Sequence, residues 1–291
     1  AKIIDAPHSY HENMMLLAFS KDTKVISYIY LDLFARKGKK SGAWMDNIVD
    51  KTFDQLPIAA VVCNFAAPTD SIPSLLDFND LETLFHEFGH ALHHTLSNIP
   101  YAYATGVNNV PWDGIEVPST LMEYFCINDA LLDRSGEHYK TKEKLPYDLK
   151  ESLIRSKNFL FSRQLMRQLE FTITDMKLHM DDISDPNAFL NELRPTLGFD
   201  VLPDGCMPLN NFRHIFAGGY AAGYYSYKWS DIIAADIFSS FQENGVLCKE
   251  TGKKYLDEYL SLGGSKDPNE LFKTFKGRDP EPDAFLALNG I

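Results

Sequence analysis

Two histidines stand four residues apart in His86-Glu-Phe-Gly-His90, with Glu87 beside the first of them. On a helix, that spacing projects both imidazoles from one face about one turn apart, close enough to hold a single Zn²⁺. A glutamate in the second position is not a ligand in such a motif. It serves as the base that takes a proton from a water and passes it to a leaving nitrogen. The implied chemistry is metal-assisted hydrolysis.

A catalytic zinc requires a third protein ligand and one open position. His93 and His94 follow closely, but His93 lies about 10 Å along the helix from His86, too far for chelation from one straight helix. They read as packing residues. Glu116, in Glu-Val-Pro-Ser119, is the better candidate, because the 26 residues after His90 allow one helix to end and a second to begin beside it. Glu123, seven residues further, shares the face of Glu116 and could orient a ligating histidine. A second constellation runs from His214 to Ser230. Ala217-Gly218-Gly219 reads as a flexible loop, and Tyr220, Tyr224 and Tyr227 recur at i, i+4 and i+7, the spacing of one helical face. Tyrosine is a neutral donor at pH 7, which an oxyanion beside zinc requires, and His214 could supply another.

The elements that must position these groups change character along the chain. Met14 to Phe19, Lys24 to Leu33 and Pro57 to Phe65 read as strands of a small sheet. Beyond Asp80 the apolar periodicity is helical, interrupted by loops at Ile99 to Asp113, Glu137 to Pro146, Pro195 to Pro208 and Ser265 to Asn269. The metal-binding segment is a helix with Asn79 and Glu82 as a variant capping box and an apolar face of Leu81, Leu84, Phe85, Phe88, Ala91, Leu92 and Leu96. Tyr147 to about Met180 reads as one long helix. The expected fold class is α+β and mostly α-helical, with a small sheet at 1–78 packed on a helical catalytic core at 79–291.

Composition narrows the function classes. Forty acidic against 28 basic residues leave a charge of −12, which disfavours nucleic acid and anionic membranes as partners. No run of about 18 apolar residues and no signal-peptide grammar is present, so the reading is a soluble cytoplasmic protein, although the chain begins at Ala1. Cys63, Cys126, Cys206 and Cys248 are scattered and read as reduced thiols. His8 and His11 form a weak pair in a loop and are not taken as a metal site.

Together, His86-Glu-Phe-Gly-His90, Glu116-x-Pro-Ser119 and His214-Ile-Phe-Ala-Gly-Gly-Tyr-Ala-Ala-Gly-Tyr-Tyr-Ser-Tyr227 closely resemble the thimet-oligopeptidase family of zinc metallopeptidases. The likeness extends from Tyr30-Leu-Asp-Leu33 and Gly42-Ala-Trp-Met-Asp46 through Arg167-Gln-Leu-Glu-Phe171 to Gly277-Arg-Asp-Pro280. The resemblance implies one Zn²⁺ per chain held by His86, His90 and Glu116, with Glu87 as base and acid. It also implies Tyr227, Tyr220 and His214 on the substrate carbonyl or oxyanion, and Tyr224, Gly218 and Gly219 along the substrate cleft. Internal cleavage of short peptides is the implied activity, the peptide adding as a strand to the small sheet. A peptidyl-dipeptidase shares the same zinc core and is the alternative within the enzyme class. Family members usually run to more than twice this length. The chain therefore reads as a C-terminal catalytic half whose channel needs an N-terminal half, in cis or in trans, and which as an isolated zinc-binding half could be inactive.

Overall fold

The computed structural model describes residues 1–6 and 9–291. Of the histidine pair near the start, His8 lies outside the described residues. Five strands, β1 (Lys2–Ile4), β2 (Met15–Lys21), β3 (Lys24–Phe34), β4 (Trp44–Val49) and β5 (Ile58–Phe65), form one sheet in the order β1-β2-β3-β5-β4. Only β3 and β5 pair in parallel, with Tyr30 opposite Ala60; the other pairs are antiparallel. Strand β5, Ile-Ala-Ala-Val-Val-Cys-Asn-Phe, is apolar almost throughout because it is flanked by strands on both edges and buried on both faces. The three-residue β1 and the edge strand β4, interrupted by Asp46 and Asn47, lack that signal and are not among the strands expected from the sequence.

Twelve helices follow: α1 (Phe78–Thr95), α2 (Trp112–Ile115), α3 (Val117–Cys126), α4 (Asp129–Ser135), α5 (Tyr147–Asn158), α6 (Phe161–Met180), α7 (Pro186–Thr196), α8 (Arg213–Ala217), α9 (Ser226–Asn244), α10 (Lys249–Glu258), α11 (Pro268–Lys276) and α12 (Asp283–Leu288). The α+β, mostly helical class stands. Helix α1 lies on the sheet, its Ala91, Leu84, Phe88 and Leu92 packing against Ile29, Leu31, Val61, Cys63 and Phe65. A second core joins α3 to α9 and α11 through Val117, Leu121, Ile233, Ile237, Phe238 and Phe272. A third, built from Leu190, Leu209, Phe212, Ile215 and Tyr224, supports the segment that carries the tyrosines.

Three sequence expectations are corrected. The cap of α1 is Asp77, whose side chain accepts from the Asp80 N–H at 2.8 Å while Asp80 accepts from the Asp77 N–H; Asn79 and Glu82 are already inside the helix. Glu82 pairs instead with Lys157 on α5. The stretch Tyr147–Met180 is two helices, broken at Phe159 and Leu160, the latter in the left-handed region at φ 55°. Neither residue is a helix breaker by type. The break lets Lys157 reach α1 while α6 runs under the tyrosine segment, an outcome of tertiary packing that periodicity does not carry. Lastly, Tyr220 and Tyr224 precede α9 in a turn, so the three tyrosines do not share a helical face.

Asp32 on β3 holds the sheet's connections. It accepts from Tyr10 at 2.8 Å and from both terminal nitrogens of Arg36 at 2.6 and 2.8 Å, while Lys39 donates to its side chain, to its carbonyl and to the carbonyls of Phe34 and Cys63. Burial raises the Asp32 pKa, but the bonds from Arg36, Tyr10 and Lys39 outweigh it and hold the carboxyl well below the usual carboxylate range. A carboxyl depressed by folding contributes stability above its unfolded pKa of about 4, and that contribution drains away as pH falls toward the folded value. Urea unfolding should therefore show Asp32→Asn less stable than the parent by about 2 kcal/mol at pH 7, with a flatter loss of stability below pH 4. An identical acid slope in the two proteins would contradict the assignment.

Candidate metal centre and its surroundings

Helix α1 presents its apolar face to the sheet and its opposite side to α3. Gly89 sits at the crossing. A Cβ placed there would lie 2.5 Å from the Pro118 carbonyl oxygen and 2.6 Å from the Ser119 Cα, so the two backbones approach as closely as only glycine permits. That approach sets Glu116, at the N-terminal cap of α3, against the two histidines. Its Oε2 lies 3.1 Å from His90 Nε2 and 3.4 Å from His86 Nε2. The three donors lie within 4.8 Å of one another, and no other group of three or more potential ligands occurs among the described residues.

Each donor is held from behind. His86 Nδ1 is 2.6 Å from Glu123 Oε1, which directs Nε2 toward Glu116, as the seven-residue spacing on α3 anticipates. Ser119 Oγ donates to Glu116 Oε2 at 3.0 Å and Tyr220 donates to Oε1 at 2.8 Å. Burial pushes the Glu116 carboxyl up, but the hydrogen bonds and charge of His86 and His90 prevail and keep it far below the ordinary range. Glu87 behaves in the opposite sense: burial raises its pKa, the histidines oppose the rise, and Glu116 and Glu123 add to it. Glu87, Glu116 and Glu123 gather three carboxylates around the His86 and His90 rings. Burial lowers the His86 pKa, but the hydrogen bonds and charge of Glu116 and Glu123 outweigh it and raise that pKa, so the site favours a positive charge at its centre. This set of N and O donors fits a divalent cation. His93 and His94 are buried in packing, His93 with its pKa pushed down to about 3 by burial and by the neighbouring His90 and His94. His94 Nε2 lies 2.9 Å from the Val49 carbonyl, linking α1 to β4.

The tyrosine segment packs beside this group although its three tyrosines share no helical face. The Tyr220 and Tyr227 rings stack with centroids 4.9 Å apart, and the His214 ring lies 6.1 Å from Tyr227 and 5.8 Å from Tyr224. Gly218 and Gly219 form a tight turn in which the Tyr220 N–H donates to the His214 carbonyl, and Gly219 has φ +87°. The Trp112 ring packs 4.3 Å from Tyr220. Buried Asp175 on α6 accepts the N–H groups of Ala222 at 3.0 Å and Tyr224 at 2.9 Å, holding Ala222 at φ 54°. All ten residues singled out from the sequence thus belong to one region, with Glu116 touching the histidines on one side and Tyr220 on the other. Gly89, Ser119, Trp112 and Asp175 were missed. Two of them left a trace: a glycine inside an otherwise good helix, and an acid at Asp175 on the helical face of the apolar Phe171 and Leu178.

The model for peptidase family M3 matches residues 2–291. The chain belongs to peptidase family M3. Oligopeptidase A of Escherichia coli is 42% identical to this M3 chain over 94% of it, and dipeptidyl carboxypeptidase of Salmonella typhimurium is 34% identical over 97%. In both comparisons the M3 chain spans 42% of the relative's length. Among solved structures, PZ peptidase A with an inhibitor superposes with a TM-score of 0.58 at 21% identity, covering 89% of this chain and 43% of that one. A Pyrococcus furiosus carboxypeptidase superposes at 0.60 and 14%, covering 90% and 53%. At those identities the structural likeness concerns the fold alone. A metallopeptidase family implies a bound metal, and the donor set of this M3 chain has the composition to hold one.

The close crossing is directly testable. Gly89→Ala should lower unfolding stability by about 1–3 kcal/mol, because α1 and α3 must separate to admit the methyl group. Gly252→Ala, on α10 where no atom lies within 4 Å of the added Cβ, should instead gain about 0.5–1 kcal/mol. Equal responses of the two variants in urea would remove the crossing from the account.

Proposed function

We propose that this chain carries the catalytic site of a zinc-dependent endopeptidase acting on short oligopeptides. The observation that carries the reading is the convergence of His86, His90 and Glu116, with donor atoms within 4.8 Å of one another, on a face that also presents Glu87. These three residues would hold zinc, which when bound polarises a peptide carbonyl and acidifies a water. Glu87, its pKa raised by burial, accepts the proton of the attacking water and delivers it to the leaving nitrogen. Tyr227, its phenol pushed up to about 12 by burial, stays a neutral donor for the oxyanion. Tyr220 donates to Glu116 and stacks on Tyr227, so it orders both; His214 faces the same rings, and Tyr224, Gly218 and Gly219 shape the cleft wall. Strand β4 is an edge of the sheet, which suits a peptide added as a further strand.

Oligopeptidase A among the relatives supports internal cleavage of oligopeptides, and dipeptidyl carboxypeptidase, at lower identity, supports release of C-terminal dipeptides as the second reading. A segment corresponding to the unmatched part of those relatives, in cis or in trans, belongs to the same proposal as the opposite wall of the cleft. In the full-length protein, Glu87→Gln should keep its zinc yet lose cleavage of an internally quenched peptide, and Tyr227→Phe should lower kcat by roughly 10²-fold. Undiminished turnover by Glu87→Gln would end the proposal. Mass analysis of products from the same peptide with a free or an amidated C-terminus separates the two readings, since dipeptide release requires the free acid.

A further inference from the structure

The chain carries a net charge of −12, yet one groove in it is lined by cations and contains no acidic side chain in its wall. It has a volume of about 700 Å³ and lies along the start of α6, bounded by Leu160, Arg163, Arg167, Gln168, Arg194 and Phe199. Arg167 and Arg194 share a single buried carboxylate, Glu170, at 2.6 and 2.8 Å. Arg163 has no carboxylate partner among the described residues. Three guanidinium groups against one carboxylate leave two positive charges uncompensated. The guanidinium carbons of Arg163 and Arg194 lie 5.1 and 5.4 Å from the Phe199 ring centroid; Arg194 is further engaged with the Asp200 carbonyl and Glu170, whereas the N–H donors of Arg163 make no hydrogen bond among the described residues.

The groove is joined to the tyrosine segment by direct contacts of its wall with Tyr224. Gln168 in its wall accepts a hydrogen bond from the Tyr224 hydroxyl at 3.0 Å. Arg167 is close enough to Tyr224 for its charge to oppose the rise that burial imposes on the phenol. At the other end, Phe159 and Leu160 follow directly on α5, whose Lys157 is paired with Glu82 one turn ahead of His86. The Tyr224–Gln168 hydrogen bond places the groove wall in contact with the segment that carries His214 and the tyrosines.

We propose that this groove is a subsite that receives a carboxylate of the peptide substrate, with Arg163 as its principal recognition residue. The inference rests on the peptidase reading above. Guanidinium groups match a carboxylate through paired N–H donors, and such charge-assisted bonds are about twice as strong as neutral ones. Apolar contacts with Leu160 and Phe199 accommodate the residue that bears the charge.

The test uses the full-length protein and one internally quenched peptide in three forms: neutral with an amidated end, the same with one Gln replaced by Glu, and the neutral sequence with a free C-terminus. Arg163 is exposed, so its replacement leaves the fold intact. Arg163→Glu should raise KM about 10-fold for whichever form supplies the carboxylate, with kcat unchanged and the neutral form within two-fold, and Arg163→Lys should fall between. The form affected identifies the source as side chain or chain end. Fluorescence anisotropy of the labelled peptides on a Glu87→Gln background reads the subsite without turnover. Absence of cleavage by the parent enzyme would then overturn the peptidase reading, whereas equal binding of all three peptides to Arg163→Glu and its parent would overturn the groove.

Discussion

The site depends on one contact, the passage of the Gly89 backbone against Pro118 and Ser119. Two helices that belong to different cores meet there. Helix α1 is pinned to the sheet by Leu84, Phe88 and Ala91, and α3 is pinned to α9 and α11 by Val117 and Leu121. Because each is fixed independently, the distance between them is decided by what fits at the crossing, and any side chain in place of hydrogen would push Glu116 away from His86 and His90. A mid-helix glycine costs about 1 kcal/mol relative to alanine. Here that cost is offset by the geometry it makes available.

Around this contact, buried charge is arranged so that each group has a partner fixed by another element. Glu116 receives Ser119 from its own helix, Tyr220 from the segment before α9, and the two histidines from α1. Asp175 pins the backbone of that same segment from α6. Removing any one support leaves a buried carboxylate or amide without its partner, which is expensive in a low-dielectric interior. The tyrosine segment is consequently positioned by main-chain hydrogen bonds and not by helical periodicity: Tyr220 reaches Glu116, Tyr227 stacks on Tyr220, and Tyr224 turns to Gln168 on α6.

Much of this was legible in the sequence, for identifiable reasons. His86, Glu87 and His90 declare themselves through the period of one helix, and strands β3 and β5 through their richness in β-branched, Leu and aromatic residues. Glu116 could be proposed from the distance a chain needs to turn back, and Glu123 from the heptad spacing on the same face. What was not legible depends on contacts distant in sequence. The break at Leu160 involves no proline or glycine, and its cause is the separate attachment of α5 and α6. Strand β4 is short, and Asp46 and Asn47 interrupt its apolar residues, so it carries no run or alternation that marks a strand. The cap at Asp77 and Asp80 competed with an equally plausible pair two residues on, and only the local path of the chain decides between them. Asp175 could have been flagged as an acid on an apolar face, but its partners at Ala222 and Tyr224 are set by the fold.

The central claim is that α1 and α3 together create one three-donor centre for a divalent ion. The direct measurement is zinc content per chain, by elemental analysis after dialysis, for the full-length protein and for Glu116→Gln, with folding verified by circular dichroism. One zinc per chain is expected in the parent, and a folded Glu116→Gln that retains little or none. A Glu116→Gln protein still holding one zinc per chain with the parent's affinity would contradict the claim.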